Sequence, residues 1–173
     1  GPTNANAQSH AYESGTHGGV GMYDYSPVTW GTPYGSTFEP VTVGSGSVSC
    51  KGGAALRVTS DVVVLDGGTI AMDGGTLTST AGGGAGGSVW LTTRVLRGSG
   101  GSISAAGGAG TGTGRAGGGG GRVAVYCNTS EYVGTWSGFS GLPDVDVSGG
   151  HSATATRHGG SGTAYFECGE ASR

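Results

Sequence analysis

Apolar residues in this chain recur at every second position in short runs, and each run is introduced by glycine. Val89 and Leu91 follow Gly82-Gly83-Gly84-Ala85-Gly86-Gly87, while Val123 and Val125 follow Gly117-Gly118-Gly119-Gly120-Gly121. Alternation of period two marks a strand with one buried face. The same phrase occurs earlier as Gly53-Ala54-Ala55-Leu56-Arg57-Val58 and later as Gly162-Thr163-Ala164-Tyr165-Phe166-Glu167-Cys168. Aligning Leu56, Val89, Val123 and Ala164 gives steps of 33, 34 and 41 residues. Two further landmarks keep the first step: Gly67-Gly68-Thr69-Ile70 returns as Gly100-Gly101-Ser102-Ile103, and Gly74-Gly75 as Gly107-Gly108, each 33 residues on. A fixed period of this length is the signature of stacked repeats.

The first repeat predicts strands over 56–58, 62–65, 69–72 and 76–78, with turns at Asp66-Gly67-Gly68 and Asp73-Gly74-Gly75. The second predicts strands over 89–93, 95–96 and 102–104, then a long flexible stretch over 107–121. The third has a strand over 123–127 and departs at 128–143, where Tyr132, Trp136 and Phe139 mark a surface loop. Alternation resumes over 144–147, 149–162 reads as a second loop, and 164–168 closes the last copy. Valines at 41, 43 and 48 suggest one more short strand ahead of the repeats. No ten-residue stretch free of Gly and Pro has helical periodicity. The fold class is therefore all-β, a glycine-rich repeat domain of parallel β-helix (β-solenoid) type. An antiparallel β-sandwich is the alternative, because short strands with glycine turns also write sandwiches.

Residues 16–168 form one domain in this reading. Its aromatic, turn-rich segment 16–50, broken by prolines at 27, 33 and 40, serves as a cap and 51–168 hold the repeats. Residues 1–15 are a polar arm that opens with Gly1-Pro2, a tag-cleavage remnant, and 169–173 are a tail; the segment is expected to belong to a longer precursor.

Composition changes the picture in one respect. Glycine (42) and proline (5) exceed a quarter of the 173 residues, a level at which disorder is a fair prior. The glycines, however, cluster between alternating apolar runs, and only 11% of residues are charged, with a net charge of −3. Disordered chains are usually highly charged and poor in such runs. Eight dispersed basic residues offer no row to neutralise phosphates, so nucleic acid is excluded as a partner. No apolar run reaches the length of a membrane span.

The ordered phrases of the chain carry a resemblance. They are His17-Gly18-Gly19, Tyr34-Gly35-Ser36-Thr37-Phe38-Glu39-Pro40, Gly44-Ser45-Gly46, Gly87-Ser88-Val89-Trp90-Leu91, then Gly98 to Gly108, Gly120-Gly121-Arg122-Val123-Ala124 and Gly160-Ser161-Gly162-Thr163-Ala164-Tyr165. In this order they resemble glycine-rich β-helix-like repeat modules of large secreted and cell-surface proteins. The chain departs from that pattern at Val48-Ser49-Cys50-Lys51, where similar modules continue with glycine. The resemblance implies an extracellular location within a bigger surface protein, and brings no catalytic or ligand residue with it.

Candidate chemistry is sparse. Tyr23, Tyr25 and Trp30 in one segment, and Tyr132, Trp136 and Phe139 in another, are candidate binding residues, because ring faces stack on sugars or anchor protein contacts. The rival reading packs these rings over the edge of the core. Cys127 and Cys168 each lie six residues after the last glycine of their run. In a stack they would be neighbours about 4.8 Å apart, within disulfide reach; buried thiols are the other possibility, and pairings that involve Cys50 stay open. Asn128-Thr129-Ser130 is either an N-glycosylation sequon or a polar turn. His17 and His158 begin near-identical His-Gly-Gly phrases, yet lack a Cys or carboxylate at metal-ligand spacing. Asp66, Asp73, Asp144 and Asp146 could offer oxygens to calcium, but without the Gly-Gly-x-Gly-x-Asp pattern they read as turn aspartates. Asp144 and Asp146 point the same way along a strand, and nothing around them completes a hydrolase site. The glycine runs lack the Lys-Ser/Thr ending of a phosphate loop; without Cβ atoms their use is close backbone approach.

The expectation is a structural or adhesive module, not an enzyme and without a required cofactor. Its partner would be a glycan or protein at a cell surface. A carbohydrate-binding module is the alternative, and a polysaccharide-processing enzyme ranks third.

Overall fold

The computed structural model describes residues 14–23, 29–78, 81–153 and 156–169. Within them the chain is all-β, without a helix. A short antiparallel pair, β1 (Met22–Tyr23) and β2 (Thr29–Trp30), comes first. The repeats supply β3 (Ala55–Val64), β4 (Thr69–Ala71), β5 (Ser88–Ser99), β6 (Ser102–Ser104) and β7 (Arg122–Val133). A hairpin of β8 (Thr135–Trp136) and β9 (Phe139–Ser140) follows, then β10 (Asp144–Asp146) and β11 (Thr163–Cys168).

From β3 onward the chain visits two parallel sheets in turn, one in the order β11-β7-β5-β3 and the other in the order β10-β6-β4. Their register is the one the repeat alignment gives. Leu56 lies beside Val89, Val89 beside Val123, and Val123 beside Ala164. In the smaller sheet Ile70, Ile103 and Val145 form the matching row. Pairing within both sheets is parallel, against the antiparallel sandwich; among the described strands only β1–β2 and β8–β9 run antiparallel. The inward residues Val89, Leu91, Val123, Val125, Leu96 and Ile103 make a core between the sheets.

The strand pairs expected at 56–58 with 62–65 and at 89–93 with 95–96 are continuous strands with a bend. The pairing register skips Asp61, Arg94 and Asn128, and the buried positions change phase there, from Leu91 and Thr93 to Leu96. The doublet Val95-Leu96 thus opens the second half-strand, just after a bend at Arg94. No strand forms over 76–78 or 41–48, where 46 contributes an isolated bridge.

The glycine runs are ordered hydrogen-bonded segments, in place of the flexible stretch expected over 107–121. Gly118 N–H donates to Gly108 O (2.9 Å), Gly108 to Gly84 (2.8 Å), Gly84 to Gly75 (3.0 Å) and Gly150 to Gly118 (2.7 Å). Gly86 N–H reaches Gly119 O, and Gly119 N–H reaches Gly15 O, both at 2.9 Å. No glycine of 83–87 or 117–121 has a positive φ. Their requirement is contact distance: a Cβ on Gly118 would lie 2.0 Å from Gly84 O. The result is a second, buried layer held by peptide groups beside the apolar core.

Residues 31–45 cross the outward face of the larger sheet, opposite the Val89 and Val123 side. Arg122 Nε donates to Tyr34 O (2.9 Å), its Nη1 to Thr37 Oγ1 (2.9 Å), and Ser88 Oγ to Thr42 O (2.6 Å). His17, fully buried, ties this strap to the glycine layer: Nδ1 donates to Gly86 O (2.9 Å) and Nε2 faces Thr42 Oγ1 (2.8 Å).

Candidate functional site

The β8–β9 hairpin builds the site. Trp136 faces Phe139 across a two-residue turn, Ser137-Gly138, both with positive φ (49° and 86°). Two such residues make the tight turn whose twist matches a hairpin. The hairpin base is closed by Gly141 N–H to Gly134 O (2.8 Å), and Ser130 Oγ–H donates to Gly141 O. Trp136 Nε1–H donates to Val145 O (2.9 Å), which lays the indole against Phe166 with centroids 5.3 Å apart. The hairpin thereby rests on β10 and on the end of the core.

Between the hairpin and edge strand β11 runs an open groove of about 740 Å³. Trp136, Phe139, Leu142, Ala164 and Phe166 supply its apolar walls, Tyr165 borders it with its ring turned to the other side of β11, and Ser130 and Ser140 supply its hydroxyls. Phe139 is 67% exposed. None of the lining residues carries a formal charge at neutral pH. Outside the groove, Tyr165 packs edge-on to Phe38 (4.9 Å) and tilted against Tyr126 (5.6 Å). Tyr126 Oη donates to Phe38 O (2.9 Å). Tyr165 Oη donates to Glu167 Oε2 (2.8 Å), and this bond to a carboxylate raises the Tyr165 pKa.

Two of the expected binding residues, Trp136 and Phe139, thus come together. Tyr132 does not join them: it is 6% exposed, its Oη donates to Gly101 O (2.9 Å) and accepts from Gly101 N–H (2.7 Å). Placed after the bend, it points into the core and has no ring face to offer a ligand. Tyr25 and the side chains of Tyr23 and Trp30 lie outside the described residues. Sequence reasoning missed Tyr165 and Phe166. Their signal was an aromatic doublet in the last alternating run, where one ring must face each side of the sheet.

No family model, curated protein or solved structure matches this chain.

The remaining candidates fall elsewhere. Cys127 and Cys168 are neighbours in register and form a disulfide, with Cα atoms 4.4 Å apart, while Cys50 is a free, buried thiol. Asn128 is exposed. His158 does not meet His17; its ring lies 4.5 Å from that of His151, and its Nδ1 accepts from Ser152 N–H (3.0 Å). Asp66 Oδ1 accepts from Ser99 Oγ (3.0 Å) and Asp73 Oδ1 from Ala106 N–H (2.8 Å), so both carboxylates join one repeat to the next. Asp144 and Asp146 sit on β10 beside Ser102 and Ser104, outside the groove lining. Among the described residues no group of three or more His, Cys, Asp or Glu could hold a metal ion, and no helix is long and apolar enough to cross a membrane.

Proposed function

We propose that the chain is an adhesive module of an extracellular, cell-surface protein, built as a parallel β-helix (β-solenoid) that presents the hairpin groove to a glycan. Successive windings would be β3–β4, β5–β6, β7–β10 and β11, each adding a layer to a stiff support. The observation that carries the reading is the uncharged groove with Trp136, Phe139 and Phe166 on its walls. Aromatic faces bind the apolar face of a sugar ring, and hydroxyls take its polar rim. The Cys127–Cys168 disulfide fits an oxidising, extracellular setting.

A glycan array probed with the purified chain tests this. Saturable binding that weakens at least tenfold in Phe139→Ala, an exposed position whose loss leaves the fold intact, supports it. Binding unchanged in Phe139→Ala and Trp136→Ala, or a blank array, overturns it and leaves a spacer or assembly element.

A further inference from the structure

We infer that Asn128 is an N-glycosylation site whose first N-acetylglucosamine rests against the ring of Tyr126. This shares the extracellular placement proposed above and lies beside the groove, with Cys168 and Gly169 common to both linings, but does not depend on the groove binding a ligand.

A sequon alone is a weak signal, and the structure adds three observations. Asn128 is exposed, and it lies at the bend where the strand register lapses, in one row with Asp61 and Arg94. Arg94 is occupied by a two-point ion pair with Asp61 (2.7 and 2.9 Å), whereas the Asn128 carboxamide makes no hydrogen bond among the described residues. Nothing in the fold therefore uses the group that would be modified. The second observation is room. Beyond Cys168 the neighbouring residue is Gly169, which brings no side chain, and its N–H donates to Cys127 O (2.9 Å). Thr92, Tyr126, Asn128, Glu167 and Gly169 border an open depression of about 510 Å³, large enough for a hexosamine. The third is a platform. Tyr126 and Asn128 both border this depression. The Tyr126 ring is held by the Oη bond to Phe38 O and by contact with Tyr165. A sugar on Asn128 would meet a pre-set aromatic surface, the arrangement in which ring stacking needs little further ordering.

In the modification Asn128 Nδ2 attacks the anomeric carbon of an oligosaccharide carried on a lipid diphosphate. A C–N bond forms, the C–O bond to the diphosphate breaks, the lipid diphosphate leaves, and Nδ2 loses one proton. The donor and its transferase belong to the secretory pathway. Transfer must precede docking of the hairpin, because Ser130, the hydroxyl residue of the sequon, is bonded to Gly141 O in the folded chain.

The test is expression of the full chain behind a secretory signal in eukaryotic cells, with intact mass and peptide mapping on secreted and cell-retained material. Peptide-N-glycosidase should remove one glycan from Asn128, and Asn128→Gln should carry none. The thermal midpoint should fall on deglycosylation, and that fall should vanish in Tyr126→Ala. An unmodified Asn128 in both fractions overturns the site. A midpoint insensitive to deglycosylation overturns the Tyr126 platform. Either result is independent of the glycan array.

Discussion

Gly118→Ala adds one methyl group to a crowded part of the glycine layer. Its Cβ would stand 2.0 Å from Gly84 O, 2.5 Å from Gly84 C and 3.0 Å from Ala85 N. Carbon and carbonyl oxygen approach to about 3.3–3.6 Å, so the 118 and 84 segments must separate by about 1.3–1.6 Å. Three bonds span that gap or its flanks: Gly118 to Gly108, Gly108 to Gly84, and Gly150 to Gly118. Overpacking costs about 1–3 kcal/mol, and each buried donor left unpaired costs about 1–3 kcal/mol more. With one or two bonds lost, the net penalty is roughly 3–5 kcal/mol, after the ~0.4–1 kcal/mol that alanine recovers by restricting the unfolded chain. Domains of this size are stable by about 5–15 kcal/mol, and lose about 2–4 °C per kcal/mol. The midpoint in a thermal scan followed by circular dichroism should therefore drop by roughly 6–20 °C. Gly100→Ala is the comparison. Gly100 has φ +63° and no atom within 4 Å of a Cβ, so only the left-handed backbone is penalised, by about 1–2 kcal/mol. If the two variants melt within a few degrees of each other, close backbone approach is not why this layer is glycine.

Three further outcomes follow from buried groups. Burial, more than the nearby Arg122 charge, lowers the His17 pKa from 6.5, so the unfolded chain takes up the proton first. Stability should be full above pH 6.5 and fall as pH drops below it, and urea midpoints should lose this slope in His17→Asn. Tyr132→Phe removes the hydroxyl shared by both Gly101 backbone groups and should cost about 1–3 kcal/mol in denaturant titrations. Reducing the Cys127–Cys168 bond, which spans 41 residues, should cost about 4 kcal/mol by loop-closure entropy; an unchanged midpoint in reductant would show that β11 is held by its ladder alone.

The repeat register was legible because the copies obey one constraint: Val89, Val123 and Ala164 face one core, Leu56 continues their row, and the distance between them sets the pairing. The bend was written in Val62-Val63-Val64 and Val95-Leu96, where alternation breaks, but a broken pattern does not say which way the chain turns. Tyr132 illustrates the consequence, since its side of the sheet is decided by the bend before it. Thr76-Leu77-Thr78 has strand propensity and no partner strand, so tertiary context overrides it. The roles of His17 and Arg122 rest on contacts 69 and 88 residues away in sequence, which no local pattern encodes. For the groove, the hairpin aromatics were visible, while the opposite wall depended on β11 being the edge of its sheet.

The glycine layer also bears on how stability varies with temperature. Unfolding raises the heat capacity in proportion to the apolar area exposed and lowers it for peptide area. A core in which a whole layer packs backbone on backbone releases little apolar surface per residue when it comes apart. The heat-capacity increment should fall below the usual ~12–15 cal/mol/K per residue, which flattens the stability curve. A chain built this way trades peak stability for constancy, and holds its shape in the cold, where burial of hydrocarbon loses its force.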